Sequence, residues 1–319
     1  MPKLRYVVDI GSSHTSIYHN GPLLTEATAA FVQRSNGLEL IAAGNTAFKY
    51  HPDPITKRSL VTPVKDGIIV YPKVATLILK EFFKRSFART LFKGIEIIVP
   101  ISTGLTDLEK ETFETTICKT GYSDVTLVEC VKGLVPVINR TGQLVIIIGE
   151  GLTEIAVMLG HDIIAACSVN LCGADLDEKI INAVENQYEA IISAKSAELL
   201  RINIGSLYDG DISAMEVYGR DIIGNRVKPI IVKAECIKEP IYDSYIKIVE
   251  VAEKMLNAIP LRILNVVAKH GVYLAGSGAQ IYGLSDFMRK HLQIPVTCDP
   301  DPKTAVARGL YSMEISELI

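Results

Sequence analysis

Two short stretches carry residue types suited to phosphate chemistry. The first, Val7-Val8-Asp9-Ile10-Gly11-Ser12-Ser13-His14-Thr15, runs from an apolar strand into a turn of glycine and small hydroxyls, then into Ser16-Ile17-Tyr18. The second, Ile146-Ile147-Ile148-Gly149-Glu150-Gly151-Leu152-Thr153-Glu154, does the same and continues into Ile155-Ala156-Val157. Glycine lets the backbone approach a ligand closely, and N–H groups freed in such a turn can point at phosphate oxygens. One related hairpin in each half of the chain predicts a protein that holds a polyphosphate. Asp9 ends an apolar strand, where an ionised carboxylate needs a partner. Beside a phosphate that partner is Mg²⁺, reached through water; otherwise Asp9 caps a tight hairpin. His14 reads either as a phosphate contact or as a solvated turn residue.

Three further segments have chemical potential. Val272-Tyr273-Leu274 leads into Ala275-Gly276-Ser277-Gly278-Ala279, a strand-to-glycine turn of the kind that supports a dinucleotide or adenine. Glu198 and Arg201 are three apart on a predicted helix and share a face. They form a surface ion pair, or Glu198 accepts ribose hydroxyls while Arg201 flanks the base. Leu91 and Phe92 lie in a predicted loop near Lys84, Arg85, Arg89 and Lys93. They seal the edge of a core, or they form an apolar tip in a basic ring, which suits an anionic membrane surface.

The elements that must position these residues follow from the apolar pattern. Residues 4–46 alternate apolar runs with turns and predict a β-meander. Residues 47–67 are loop-rich, with a turn at Lys65-Asp66-Gly67. Helical spacing of Val74, Leu77, Ile78 and Phe82 predicts a helix over 71–87. A strand at 96–100, a helix at 107–120, a strand at 125–129 and an apolar segment at 132–138 follow. The second half repeats the plan. Strands fill 143–171, a helix starts near Asp175 capped by Gly173-Ala174-Asp175, and another covers 194–204. Strands at 214–218 and 228–233 precede a long helix at 240–257, and a helix over 303–317 closes the chain. Strands followed by strand–helix alternation, twice over, predict two α/β domains of similar build.

The chain has 319 residues, 48% of them hydrophobic and 22% charged, enough for two cores. A net charge of −3 leaves no basic footprint for nucleic acid. The six cysteines lack CxxC spacing and sit mostly in apolar runs, predicting reduced, buried thiols rather than a zinc site. Met1-Pro2-Lys3-Leu4-Arg5 leads directly into a strand, leaving no room for a signal peptide. No apolar run approaches the roughly 20 residues of a membrane span. The cytoplasm is the expected location.

In order along the chain, these segments resemble the MreB family of bacterial actin-like proteins, within the actin, Hsp70 and sugar-kinase superfold. Asp9–Thr15 resembles that family's first phosphate motif, DLGTANT, and Pro63-Val64-Lys65-Asp66-Gly67-Ile68-Ile69 its RPLKDGVI stretch. Leu91-Phe92-Lys93 with Val99-Pro100 resembles LFKPRVVI-VP, and Gly149–Val157 resembles GGGTTEVAV. Ala197–Ser206 is similar to AEEIKIEIGS, Tyr218-Gly219-Arg220-Asp221 to RGRD, and Leu274–Ala279 to LTGGGA. Asp299-Pro300 with Ala305–Gly309 is similar to the final connecting segment.

The resemblance implies an actin-like, duplicated two-domain α/β fold with ATP in the cleft between the domains. Domain I would be 1–138 plus 304–319, with a smaller subdomain at about 30–66. Domain II would be 139–303, with a smaller subdomain at about 180–240. It further implies an ATP site made by Asp9, Gly11, Ser12, Ser13, His14, Gly149, Glu150, Gly151, Thr153, Glu198, Arg201, Gly276, Ser277, Gly278 and Ala279, with Mg²⁺ held at Asp9. Leu91 and Phe92 would contact the membrane. The implied role is a filament that assembles from copies of itself on the inner face of the cell membrane, with cell-wall or shape-complex proteins as partners.

Departures from the family pattern bear on hydrolysis. Ile147 stands where the family has the Asp that helps hold the Mg²⁺ water shell. Cys130 and Val131 stand where it has its catalytic Glu and the following Pro, with Glu129 one residue earlier and so on the other side of a strand. Glu150 puts a carboxylate where phosphate should sit, which repels unless a cation bridges the two; the expectation is that Glu150 then replaces the missing metal carboxylate. At most a slow Mg²⁺-dependent ATPase is expected, with Glu129 and Glu150 the candidate catalytic carboxylates. The alternative is a non-hydrolysing paralogue that scaffolds or regulates another filament. A sugar kinase lacks an added substrate domain here, and an Hsp70-like ATPase lacks its peptide-binding domain.

Overall fold

A computed structural model describes residues 3–35, 37–88, 94–139, 141–171 and 173–314. The chain divides into two compact units, Met1–Val137 with Thr304–Ile319, and Ile138–Lys303.

The first unit is built on a five-stranded sheet. Its first three strands are β1 (Leu4–Ile10), β2 (His14–Tyr18) and β3 (Pro22–Ala27), after which β4 (Ala30–Gln33), β5 (Glu39–Ala43) and β6 (Arg58–Val61) form a separate sheet. The short hairpin β7 (Val64–Lys65) and β8 (Ile68–Ile69) turns at Asp66-Gly67. Helix α1 (Pro72–Ser86), strand β9 (Ile95–Ile101), helix α2 (Asp107–Cys118) and strand β10 (Val125–Glu129) follow. The large sheet has the order β10-β9-β1-β2-β3, with β1 parallel to β9 and antiparallel to β2. Val7 and Val8 are both buried although they point to opposite faces, so both faces of the sheet are covered. Pro72 starts α1, where its missing N–H costs nothing. That helix buries Val74, Ile78, Phe82 and Phe83 against the sheet core. A capping box of Thr106 and Glu109 starts α2. The chain's last helix, Ala305–Ser312, also belongs to this unit.

The second unit opens with β11 (Gln143–Ile148), β12 (Thr153–Leu159) and β13 (Asp162–Val169), then α3 (Gly173–Tyr188), β14 (Ala190–Ile192) and α4 (Ala194–Ile204). Next come β15 (Ala214–Asp221), β16 (Val227–Lys233), α5 (Ala234–Ala258), α6 (Leu261–His270), β17 (Val272–Ala275), α7 (Leu284–Leu292) and β18 (Val296–Cys298). Its large sheet runs β13-β12-β11-β17-β18, and β14, β15 and β16 form a small one. The central strand β11 is antiparallel to β12 and parallel to β17. This is the same order and the same pattern of directions as in the first unit, so the two halves are one plan used twice.

Several elements differ from the sequence expectation. Residues 4–46 are not one meander: β4 and β5 leave the large sheet and pair with β6. Helix α5 begins at Ala234, before Pro240, because the buried Cys236 and Ile237 reward a helical path despite the lost proline N–H. Helix α3 already begins at Gly173, strands β15 and β16 are longer than expected, and the last helix ends at Ser312. Helices α6 and α7 were not foreseen. Of the described cysteines, Cys236 is buried, whereas Cys118, Cys130, Cys167 and Cys298 are half-buried. Cys167 and Cys298 lie on the sheet's two edge strands, where cover is thinner. Cys172 lies outside the described residues. Among the described residues, no helix is long and apolar enough to cross a membrane.

Candidate functional site

Both glycine hairpins sit where a central strand ends. Each turns β1 into β2 or β11 into β12, at the carboxyl end of a strand with a parallel neighbour, the edge where α/β sheets bind ligands. Their geometry repeats almost atom for atom. Gly11 N–H donates to the His14 carbonyl at 3.0 Å, and Gly149 N–H to the Leu152 carbonyl at 2.9 Å. A Cβ at either glycine would lie 2.8 Å from that same carbonyl oxygen, so no other residue fits without moving backbone. Among the described residues, the N–H groups of Ser12 and Ser13, and of Glu150 and Gly151, donate to no protein acceptor. Such turns are ready to receive an anion.

In the first hairpin, the Ser12 hydroxyl accepts from Gly67 N–H at 3.4 Å, which ties the turn to the β7–β8 hairpin. The Ser13 hydroxyl is 3.0 Å from His14 Nδ1. Thr15 and Thr28 share a buried hydroxyl contact at 2.9 Å, and Thr28 N–H donates to the Ser13 carbonyl. Asp9 differs from these neighbours. Among the described residues its carboxylate has no hydrogen-bond or ion-pair partner. It is open to solvent, yet the protein atoms crowding it push its pKa up to about 6. A capping role would have given it a backbone N–H. Glu129 ends β10, half-buried, at the same carboxyl edge as Asp9, with β9 between their strands. Cys130 begins the short 3₁₀ turn after it.

In the second hairpin, Glu150 is half-buried, its side chain 19% exposed. Its Oε2 accepts from Arg201 Nη2 at 2.8 Å and its Oε1 from the Ser277 hydroxyl at 3.2 Å. Arg201, on α4 and only 3% exposed, also donates from Nε to Asp177 of α3 at 2.7 Å. Burial pushes the Asp177 pKa up to about 6, and the Arg201 pair only partly offsets this. The third glycine segment joins the same place. Gly276 and Gly278 press on Ile148 at the end of β11, and Ala275 neighbours Ile147 in register. The Tyr245 hydroxyl of α5 holds the Gly278 carbonyl at 2.6 Å. Thr153 is buried, its hydroxyl bonded to the Leu171 carbonyl.

Three sequence expectations change here. Arg201 is not turned out to flank a base; its guanidinium is spent on two carboxylates. Glu150 is not free to replace a metal ligand, since both its oxygens are engaged and its cation comes from within the chain. Glu198 does not pair with Arg201 but with Lys195 at 2.6 Å. Ile147 is buried, with Glu154 as its cross-strand partner. Glu154 is buried too, its Oε2 bonded by Ser168 at 2.7 Å. Asp177, Tyr245 and Glu154, which lie beside this hairpin and the Gly276 segment, were not singled out from the sequence. Only Glu154 left a sequence signal, as an acidic residue inside an apolar strand. Among the described residues, no group of three His, Cys, Asp or Glu side chains could hold a metal alone. Leu91 and Phe92 lie outside the described residues.

The duplicated sheets, each with a glycine hairpin at its central strand, define an actin-like fold. In solved structures, MreB5 of Spiroplasma citri bound to AMPPNP superposes with a TM-score of 0.89 at 25% identity, covering 99% of this chain and 97% of that one. The MamK double helical filament gives 0.79 at 19% identity, covering 96% and 98%, which bears on fold alone. Among characterised relatives, the cell shape-determining protein Mbl of Bacillus subtilis is 25% identical over 310 residues, 95% of this chain and 93% of its own. The cell shape-determining protein MreB of Escherichia coli K12 is 27% identical over 314 residues, 95% and 90%. The family model described as MreB/Mbl protein matches residues 4–317. The chain belongs to the MreB/Mbl family.

Proposed function

We propose that this protein is a nucleotide-binding cytoskeletal protein that assembles into filaments and takes part in setting cell shape. The observation that carries the reading is the repeated glycine hairpin, with closely matched Gly N–H geometry and unengaged N–H groups in both copies. The relatives' names add cell shape, the MreB5 structures add AMPPNP and ADP, and MamK adds the filament. ATP is the proposed ligand. Gly11, Ser12, Ser13 and His14, and Gly149, Gly151 and Thr153, would serve its phosphates, and Gly276, Ser277, Gly278, Ala279 and Glu198 its nucleoside. Mg²⁺ would meet Asp9 through water, in keeping with a crowded carboxylate that has no protein partner. A bound Mg²⁺ would neutralise phosphate charge; the chain itself supplies the N–H donors and the Asp9 anchor.

Hydrolysis is proposed to be slow. The buried Ile147 and the half-buried Cys130 offer no carboxylate for metal water or attacking water, and removing such a group typically costs a factor of about 10²–10⁴. This favours a second reading, a non-hydrolysing scaffold for another filament. Calorimetric ATP titration with phosphate release followed on the same sample separates the two. Binding with release supports a dynamic filament, binding without release supports the scaffold, and no binding refutes the nucleotide reading. A cytoplasmic protein held at the membrane by Leu91 and Phe92 is also proposed, on the strength of the basic, apolar 84–93 segment.

A further inference from the structure

The Glu150 carboxylate is held from two directions, and a glycine makes room for it on a third. Arg201 donates from one side, Ser277 from another, and Gly173 at the start of α3 makes room for it: a Cβ there would collide with the carboxylate and lie 2.9 Å from Arg201 Nη2. Gly173 N–H donates to the Gly149 carbonyl at 3.3 Å, so the start of α3 abuts the hairpin. A helix start beside a glycine hairpin is a place that attracts an anion. Here the chain has placed an anion of its own. The local charge does not cancel: Glu150, Asp177 and Glu198 supply three carboxylates, and Arg201 and Lys195 two cations. Lys179, the next cation on α3, is directed to the Ser244 hydroxyl at 2.8 Å instead.

We propose that Glu150 is a specificity-determining residue that makes this protein favour the nucleoside diphosphate over the triphosphate. The inference rests on the nucleotide reading of the Gly149 hairpin and names its preferred ligand. The triphosphate brings one more phosphate and about one more negative charge to a turn that already displays a fixed carboxylate. Because Arg201 is shared with Asp177, it cannot be lent to that extra phosphate. The diphosphate places less charge there and meets less repulsion. As an effect of charge on a partly open turn, the preference should narrow as salt rises.

The test is calorimetric titration of the full-length chain with ADP and with AMPPNP, each with Mg²⁺, for the native protein and Glu150→Gln. The amide keeps the shape and an oxygen to accept from Arg201, donates to the Ser277 oxygen instead of accepting from it, and removes the charge. The native protein should bind ADP at least about tenfold more tightly than AMPPNP. Glu150→Gln should bring the two within about threefold, by tightening AMPPNP while ADP moves little. If Glu150→Gln does not fold, Glu150→Gly carries the test, since Arg201 keeps Asp177 as its partner. A native preference for AMPPNP, or a variant that shifts both nucleotides by the same factor, overturns the proposal and leaves the nucleotide reading standing. Failure of every form to bind either nucleotide overturns the nucleotide reading itself, and this proposal with it.

Discussion

Asp9 and Arg201 show two opposite solutions to charge in a crowded site. Asp9 is open to solvent yet crowded by protein atoms, with no protein partner among the described residues, and its pKa is raised to about 6, above the ordinary carboxylate value. A raised carboxylate pKa means that the folded state binds the proton more tightly than the unfolded one. Ligand-free stability therefore falls as pH rises from about 4 to about 6, and the cost is complete above that. Asp9→Asn should melt slightly higher than the native protein at pH 8 without ligand, since solvent screens an exposed carboxylate, and close to it at pH 4. It should also lose Mg²⁺-dependent nucleotide binding. A variant that melts no higher at pH 8 would show that Asp9 is satisfied in solution. Arg201 behaves the other way. Removing it strands two carboxylates, so Arg201→Met should lose about 3–5 kcal/mol in chemical denaturation. Adding Glu150→Gln should return part of that loss, and strict additivity of the two changes would refute the coupling. The glycine and hydroxyl positions were legible in the sequence because turn chemistry is local. The partnership of Glu150 with Arg201 and Asp177 was not, because it joins a turn and two helices with no fixed spacing between them.

At the level of elements, the hairpins depend on a backbone approach that only glycine allows. Gly149→Ala should destabilise the protein by about 1–3 kcal/mol and weaken nucleotide binding at least about tenfold. Equal affinity in the variant would mean that the turn does not touch the ligand. The sequence showed α4 to the residue, Ala194–Ile204, because Ser193 caps its start and Gly205 follows its end. It misplaced the start of α5 because Pro240 reads locally as a helix opening, while the packing of Cys236 and Ile237 extends the helix behind it. It passed over α7, whose caps, Gly283 and Gln293, both take left-handed backbone, the first with no side chain to mark the start. Departure of β4 and β5 from the large sheet was likewise hidden, since strand propensity says nothing about which sheet a strand joins.

For the whole molecule, duplication was the most legible property, since two similar hairpins opened two similar strings of elements. The proposed filament would form by a head-to-tail contact that does not close on itself. Nucleotide-dependent light scattering and pelleting of the purified chain should therefore rise together, and Gly149→Ala should lower both. The proposed membrane attachment would be separable from assembly. Leu91→Ser with Phe92→Ser should abolish co-sedimentation with anionic lipid vesicles while leaving pelleting without lipid intact. Unchanged vesicle binding would assign those two residues to the protein's own core edge. The central claim, that the paired hairpins hold a nucleotide, is tested most directly by titrating the full chain with ATP and Mg²⁺ in a calorimeter. Saturable binding of one nucleotide per chain, lost in both Asp9→Ala and Gly149→Ala, is the predicted result. No heat from the folded native protein, or binding untouched by both substitutions, would contradict it.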